Sequence, residues 1–369
     1  MRKLWPGACL FTLLTAAPAL AQADLGSTIT LEPMPGIADQ SAHVQAALER
    51  LPAQRQQPAE LRLIGDFTLL QPLLLDNYTT LNLHSARLRL RSKENHSVLK
   101  NRAGEGGNHH IQILGGEIVG NRSQIKGRGA SCVHLQNSSH IRIEHLEVSK
   151  CALDGVLIDG RGKKARIVYV QNLNTTHNLR DGLVLTWAVR DATVDTVIAR
   201  HNGRYGVYSD HSESDYSNIR ASRNRLDGIF VRNVFHNSYR HLRTRHNGRH
   251  GIAIQGMVES TGSDWRSHNN GAKSDPDAAA DIFFSADSSL SYGISKRLLL
   301  EGVIAGPSKS SAPGKSSHAL RVEPPGNNAE NYDAVQLSNI LLLGDVSLPA
   351  SSAGFKVLSP LTPTATSND

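Results

Sequence analysis

Four residues near the middle of the chain have types and spacing suited to acid–base chemistry: Tyr208, Asp210, His211 and Arg232. Removing a proton from a carbon beside a carboxylate, as at C5 of a uronate, needs a base, a cation to neutralise the carboxylate, and an acid for the leaving oxygen or the opposite face. His211 fits the base, Arg232 the cation, and Tyr208 the acid or a second base. Asp159, Trp187 and Phe230 would surround them as substrate-binding groups. Arg180, Arg204 and Arg249 form a row of like charges, which a nearby anion would relieve. The same residues also read as architecture. Asp210 and Arg232 could form an exposed ion pair worth less than about 1 kcal/mol. Tyr208 and Phe230 could be stacked surface aromatics. Asp154, Asp181 and Asp227, like His177, His201 and His246, read most simply as turn residues.

These residues can meet only if a repeat brings them together. The segments CALDGVLI, NLRDGLVL, NGRYGVYS, NRLDGIFV and NGRHGIAI recur, with Gly155, Gly182, Gly206, Gly228 and Gly251 spaced 22 to 27 residues apart. A period in that range, with short β-branched strands, polar turns and no helical period, indicates a solenoid. Leucines at the fixed spacing of a leucine-rich repeat are absent. The pattern predicts an all-β chain: a right-handed parallel β-helix of about ten coils. Cys151, Asn178, Asn202, Asn224 and Asn247 stand four residues before each Gly, so stacked coils would align the Asn amides about 4.8 Å apart in a ladder. One and three residues after Gly, the pairs Val156/Ile158, Leu183/Leu185, Ile229/Val231 and Ile252/Ile254 should point inward. Alternation sends the second and fourth positions outward, which places Tyr208 beside Phe230 and Asp210 beside Arg232. If Cys132 aligns with Gly155, His134 and Gln136 join these rows. Asp159 and Asp210 then stand two coils apart, roughly 9.6 Å, a separation suited to an inverting carboxylate pair.

The ends fit the same plan. Arg2 and Lys3, the apolar run over residues 8–17 and small residues up to Ala23 read as a signal peptide over 1–23. Export predicts a periplasmic or secreted protein, with no membrane insertion after cleavage and no nucleic-acid partner. Residues 39–51 read as a short amphipathic helix, with Asp39 or Ser41 as its cap. It would cover the first coil of a single domain over 24–359. Residues 308–318 read as a flexible loop and 360–369 as a disordered tail. Cys132 and Cys151 are expected in neighbouring coils, where they could pair in an oxidising compartment, although the register does not guarantee the geometry. The formal charge of +7 favours an acidic partner. Aromatics at 5% are sparse for a sandwich built on aromatic core residues. The sequence implies no cofactor, no metal and a monomer.

IADQSAHVQAAL followed by GDFTLLQPLLLDNYTTLNL, and ILGGEIVGNR further on, resemble the opening segments of pectate-lyase-like β-helix proteins, over roughly residues 30–345. That superfamily includes lyases, hydrolases, epimerases and inert adhesins. YGVYSDHS, residues 205–212, resembles the Tyr-Gly-Ile-Asp-Pro-His-Asp strand of periplasmic mannuronan C5-epimerases. The resemblance implies that Asp210 and His211 are the catalytic Asp and His; here the Pro is absent and the two residues are adjacent. The expected function is a lyase or C5-epimerase acting on an acidic polysaccharide. The alternatives are a glycoside hydrolase with paired carboxylates and a non-catalytic polysaccharide-binding protein.

Overall fold

The structure, a computed structural model, describes residues 28–52, 56–125, 129–271, 278–306, 318–324, 332–348 and 354–360. The expected signal peptide over 1–23, residues 308–317 of the expected loop and the expected tail from residue 361 lie outside the described residues; His318, expected in that loop, instead begins the strand His318–Val322. Residue 360, expected in the tail, instead ends the strand Phe355–Pro360.

All recorded strand pairings are parallel, and every coil lies on the one before it. The chain is a right-handed parallel β-helix. The face that carries the predicted site runs through eleven described rungs, from Leu73–Leu75 to Asp345–Ser347, close to the number expected. Stacking is what makes short strands stable here. A strand such as Leu183–Thr186 is too short to stand alone, but its backbone is paired on both sides. The inward positions form one apolar column: Val156, Ile158, Leu183, Leu185, Ile229, Val231, Ile252 and Ile254 are all buried.

The predicted Asn ladder is present. Asn178, Asn202 and Asn224 each donate their side-chain amide to the Oδ1 of the next Asn at 3.0 Å. The backbone N–H of Cys151 donates to Asn178, so the cysteine starts the ladder without breaking it. Asn270 continues it, and the carboxylate of Asp281 ends it by accepting the Asn270 amide at 2.6 Å. The left-handed turn conformation belongs to the residues just before the Asn column, not to the Asn: His177, His201, Arg223 and His246 have φ between 55° and 58°. The glycines of the repeat answer a different need. A Cβ on Gly206 would lie 2.5 Å from the carbonyl oxygen of Gly228, so the column tolerates no side chain.

The helix spans Ser41–Arg50 and buries Val44, Ala47 and Leu48. Gln40 occupies the cap position and makes no capping bond; Asp39 accepts from the Ser41 N–H at 2.9 Å and from the Leu70 N–H at 3.1 Å, which ties the helix to the following strand. Cys132 and Cys151 form a disulfide, with Cα atoms 5.4 Å apart.

Candidate functional site

The register places Gln136, Asp159, Thr186, Asp210, Arg232 and Gln255 in one column. The adjacent column holds His134, Leu157, Val184, Tyr208, Phe230 and Ala253. Both columns face away from the core, as strand alternation requires, yet neither is open surface. Asp210 is 4% exposed and Asp159 6% exposed, and Val184 and Ala253 are also buried. The exposed-ion-pair reading of Asp210 and Arg232 is therefore overturned, because the carboxylate is removed from solvent.

Asp210 is the hub of the site. The Tyr208 hydroxyl donates to its Oδ2 at 2.8 Å, and the Nδ1 of His211 lies 2.6 Å from its Oδ1. An Arg232 guanidinium nitrogen lies 3.9 Å from Oδ2. Burial, and then the negative charge and hydrogen bond of Asp210, push the Tyr208 hydroxyl well above the usual phenol range, so it keeps its proton. Burial works against the Arg232 cation, but Tyr208 and Asp210 outweigh it and hold its pKa above the ordinary value.

The sequence brings Tyr208, Asp210, His211 and Arg232 into one cluster, and the structure agrees. Trp187 stacks on His211 at 5.3 Å, with Arg161 over the ring at 4.9 Å. The indole of Trp187, expected among the substrate-binding groups, is thus engaged by two protein side chains while 44% of the residue stays exposed. Phe230 stacks on Tyr208 at 5.5 Å and packs against Tyr205 at 4.9 Å. Asp159 stays two rungs from Asp210 and accepts the Arg161 N–H at 2.8 Å.

The row Arg180, Arg204 and Arg249 requires a correction. Each guanidinium grips the aspartate of the preceding coil, one residue before its Gly. Arg180 donates to Asp154 at 2.7 and 2.5 Å. Arg204 holds Asp181 and Arg249 holds Asp227 by the same two-pronged contact. The three carboxylates are fully buried. No external anion is needed to relieve the row. The partners were visible in the sequence: where Tyr205 replaces the aspartate, the next coil has Leu226 in place of arginine. Arg204 also lies over the Tyr208 ring at 5.3 Å, and this puts one member of the row against the site.

A cleft of about 220 Å³ opens beside His211. Arg161, Trp187, Arg190, Asn233, Phe235 and Tyr292 line it. The segment after the strand Ala280–Ser285 folds over this cleft, because Tyr292 donates its N–H to the Asn233 side chain at 2.6 Å and packs on Phe235 at 4.8 Å. Gly256 permits that approach: at φ 86°, a Cβ would lie 1.6 Å from the Tyr292 oxygen. The same segment brings Asp287 within 3.8 Å of Arg232. Asp287 and Tyr292 lie outside the repeat register, so no spacing rule points to them. Asn233 and Phe235 lie in the same strand as Arg232, Ile229–Phe235, but the outward alternation through Phe230 and Arg232 leads on to Val234, which is buried. The left-handed backbone at Asn233, φ 51°, breaks the alternation, and no spacing rule points to either residue. The buried Nδ2 of Asn233 has no partner among the described residues, which leaves a donor for a bound hydroxyl.

No protein-family model matches the sequence, and no curated protein matches it. Solved structures do. The A-module of Azotobacter vinelandii mannuronan C-5 epimerase AlgE4 is similar with a TM-score of 0.60 and 14% identity, over 88% of this chain and 95% of that one. The Dettilon tailspike protein is similar with a TM-score of 0.63 and 10% identity, over 88% and 65% of the two chains. The catalytic domain of a GH87 α-1,3-glucanase, bound to nigerose, is similar with a TM-score of 0.55 and 15% identity, over 93% and 70%. At these identities the likeness is one of fold: this chain shares the architecture of parallel β-helix proteins, as its opening motifs imply.

Proposed function

We propose that the cleft at His211 removes the proton beside the carboxylate of an acidic polysaccharide, making the protein an exported lyase or C5-epimerase. One observation carries the reading: Asp210 holds His211 through Nδ1 and leaves Nε2 as the ring nitrogen without a partner among the described residues. A buried carboxylate that orients an imidazole in this way fixes the tautomer whose other nitrogen accepts a proton. Tyr208 keeps its proton, so it serves as an acid or as a positioning group for Asp210 and not as the second base first considered.

Arg232 is the cation with donors to spare. Its contacts to Asp210 and Asp287, at 3.9 and 3.8 Å, are ion pairs beyond hydrogen-bond length. The structural arginines, in contrast, are each committed to a buried carboxylate by two short bonds. A substrate carboxylate would find unspent N–H groups at Arg232, and Arg161 adds positive charge along the cleft, whereas Arg190 in its wall is paired with Glu213 at 2.6 Å. The net charge of +7 favours the same substrate class. The signal-like N-terminus and the disulfide both suit a periplasmic or secreted protein. A mannuronan epimerase among the similar structures agrees with this chemistry.

The glycoside hydrolase reading has one observation in its favour, the two-rung register of Asp159 and Asp210. Both carboxylates already accept hydrogen bonds from the protein, which counts against either as an attacking or proton-donating group. Incubation with polymannuronate, polyguluronate and polygalacturonate separates the readings. A lyase gives unsaturated ends, an epimerase an altered epimer ratio without cleavage, a hydrolase reducing ends alone. His211→Gln should lower turnover by roughly 10²–10⁴-fold with an unchanged melting temperature. Wild-type turnover in that variant would refute the assignment.

A further inference from the structure

A second charged feature lies away from this cleft, on the face formed by residues 197–200, 219–222, 242–245 and 265–268. Ala199, Ala221, Thr244 and Ser267 point inward there and are buried, so the residues on either side of them point out. The register stacks Arg220, Arg243 and Arg266 in one outward column. Arg200, Ser222, Arg245 and His268 form the next. Together they line a groove of about 450 Å³. A second groove of about 380 Å³ adjoins it and shares Arg220 and Arg243.

The carboxylates near these arginines do not balance them. Asp264 pairs with Arg243 at 2.5 Å and Arg266 at 3.4 Å. Asp195, near the edge, is taken by Ser217 at 2.5 Å and Asn218 at 2.8 Å. Arg200, Arg220 and Arg245 have no ion-pair partner among the described residues. The fold supplies a buried aspartate for each arginine of the 180, 204 and 249 row, and supplies none for these three. Like charges repeating at the rung spacing of about 4.8 Å repel one another, and an anion in the groove removes that repulsion.

We propose that this groove binds a linear anionic polysaccharide that runs across the rungs, so that its repeating negative charges meet the repeating guanidinium groups. The groove favours this occupant over others. None of the large exposed apolar residues lines it, so it lacks the anchors of a membrane-surface site. No Phe, Tyr or Trp lines it either, and its one ring, His268, is tied by Nδ1 to the Gly306 carbonyl, so it lacks a row of aromatic platforms for stacking successive nucleic-acid bases. The inference rests on the substrate class proposed above but uses none of the residues of the His211 cleft. It gives the protein a separate holding site for the polymer.

The double variant Arg220→Ser/Arg245→Ser tests it, with labelled polymannuronate and fluorescence anisotropy at low and high salt. The wild-type protein should bind, and added salt should weaken binding. The double variant should bind about tenfold more weakly and depend less on salt, with an unchanged melting temperature and unchanged turnover of short oligosaccharides. His211→Gln should bind like the wild type while losing turnover. Loss of binding in the groove variant supports the inference even if no polyuronate is turned over, which separates it from the cleft assignment. Wild-type affinity in the groove variant overturns it. So does tighter binding of anionic vesicles or single-stranded DNA through the same two arginines.

Discussion

Replacing Arg249 by Leu should destabilise the protein although the residue does not line the His211 cleft. Asp227, its partner, is fully buried and receives the guanidinium through Nε at 2.8 Å and through a second, shorter contact from Nη2. Two unit charges about 4 Å apart attract by about 4 kcal/mol at an effective dielectric constant near 20. Removing one partner of a buried pair costs about 3–5 kcal/mol, because the other charge stays behind without compensation. Two features of this pair pull the expectation to the low end. The Arg249 side chain is 36% exposed, so water screens part of its charge. Asp227 also keeps the His250 N–H, 3.0 Å from Oδ1, after the arginine is gone. Arg249→Leu should therefore cost about 3 kcal/mol, a fall in melting temperature of about 6–10 °C. Adding Asp227→Asn removes the stranded charge and should restore about 1–2 kcal/mol. The chain holds a precedent for a neutral pair in Tyr205 and Leu226. Thermal and urea unfolding of the two single variants and the double variant measure the coupling. An Arg249→Leu variant within about 0.5 kcal/mol of the wild type, or strictly additive effects, would show that the arginine row is solvated and free to hold a ligand after all.

Three further outcomes are expected. Cys132→Ser/Cys151→Ser should lose about 3 kcal/mol of stability, since the disulfide closes a loop with a sequence separation of 19; chemical denaturation of reduced and oxidised protein measures this. Asn224→Ala should cost about 1–3 kcal/mol in the same assay, because the N–H and side-chain donors of Asn202 both end on the Asn224 oxygen inside the protein. Burial holds His250 near a pKa of about 4, below its ordinary value, under the ring of Phe283. The folded state then binds fewer protons than the unfolded chain between about pH 6.5 and 4, so stability present above pH 6.5 falls by about 3 kcal/mol as pH drops through that window. His250→Gln should flatten this slope.

The repeat made most of the fold legible, because a solenoid copies the same local decision in every coil. The Gly and Asn columns gave the register, and the register gave the juxtaposition of Asp210 with Arg232 and of Tyr208 with Phe230. What the repeat does not encode stayed hidden. Asp287 and Tyr292 reach the cleft from a segment whose length differs from that of the other turns. The burial of Asp210 depends on its neighbours, not on strand alternation, which marks the position as outward and says nothing of what covers it. The arginine row looks uncompensated for another reason: its partners sit in the column beside it, so the pairing shows only when the two columns are aligned. The groove at Arg220, Arg243 and Arg245 went unnoticed because those residues belong to a different strand of each coil from the Gly motif.

A stacked fold also gives a physical criterion for separating structural from functional polar groups. Each side chain has a neighbour above and a neighbour below, and a column that repeats can satisfy itself. Asn donates to Asn until Asp281 ends the line, and each row arginine meets the aspartate of the coil before. Such columns satisfy their charge and their buried polar atoms internally and need no ligand to do so. Thr186, Asp210, Arg232 and Gln255, by contrast, are four different residues in succession. Asp210 there must find partners sideways, in Tyr208 and His211, and Arg232 keeps donors that neither Asp210 nor Asp287 approaches closely enough to use. The Arg220 column fails in another way: it repeats a like charge, and the one carboxylate beside it, Asp264, reaches Arg243 and Arg266 but not Arg220. Capacity for a ligand arises where a column stops repeating or repeats a charge with too few counterions, and among the described residues the Asp210 and Arg220 columns show the two cases on different faces.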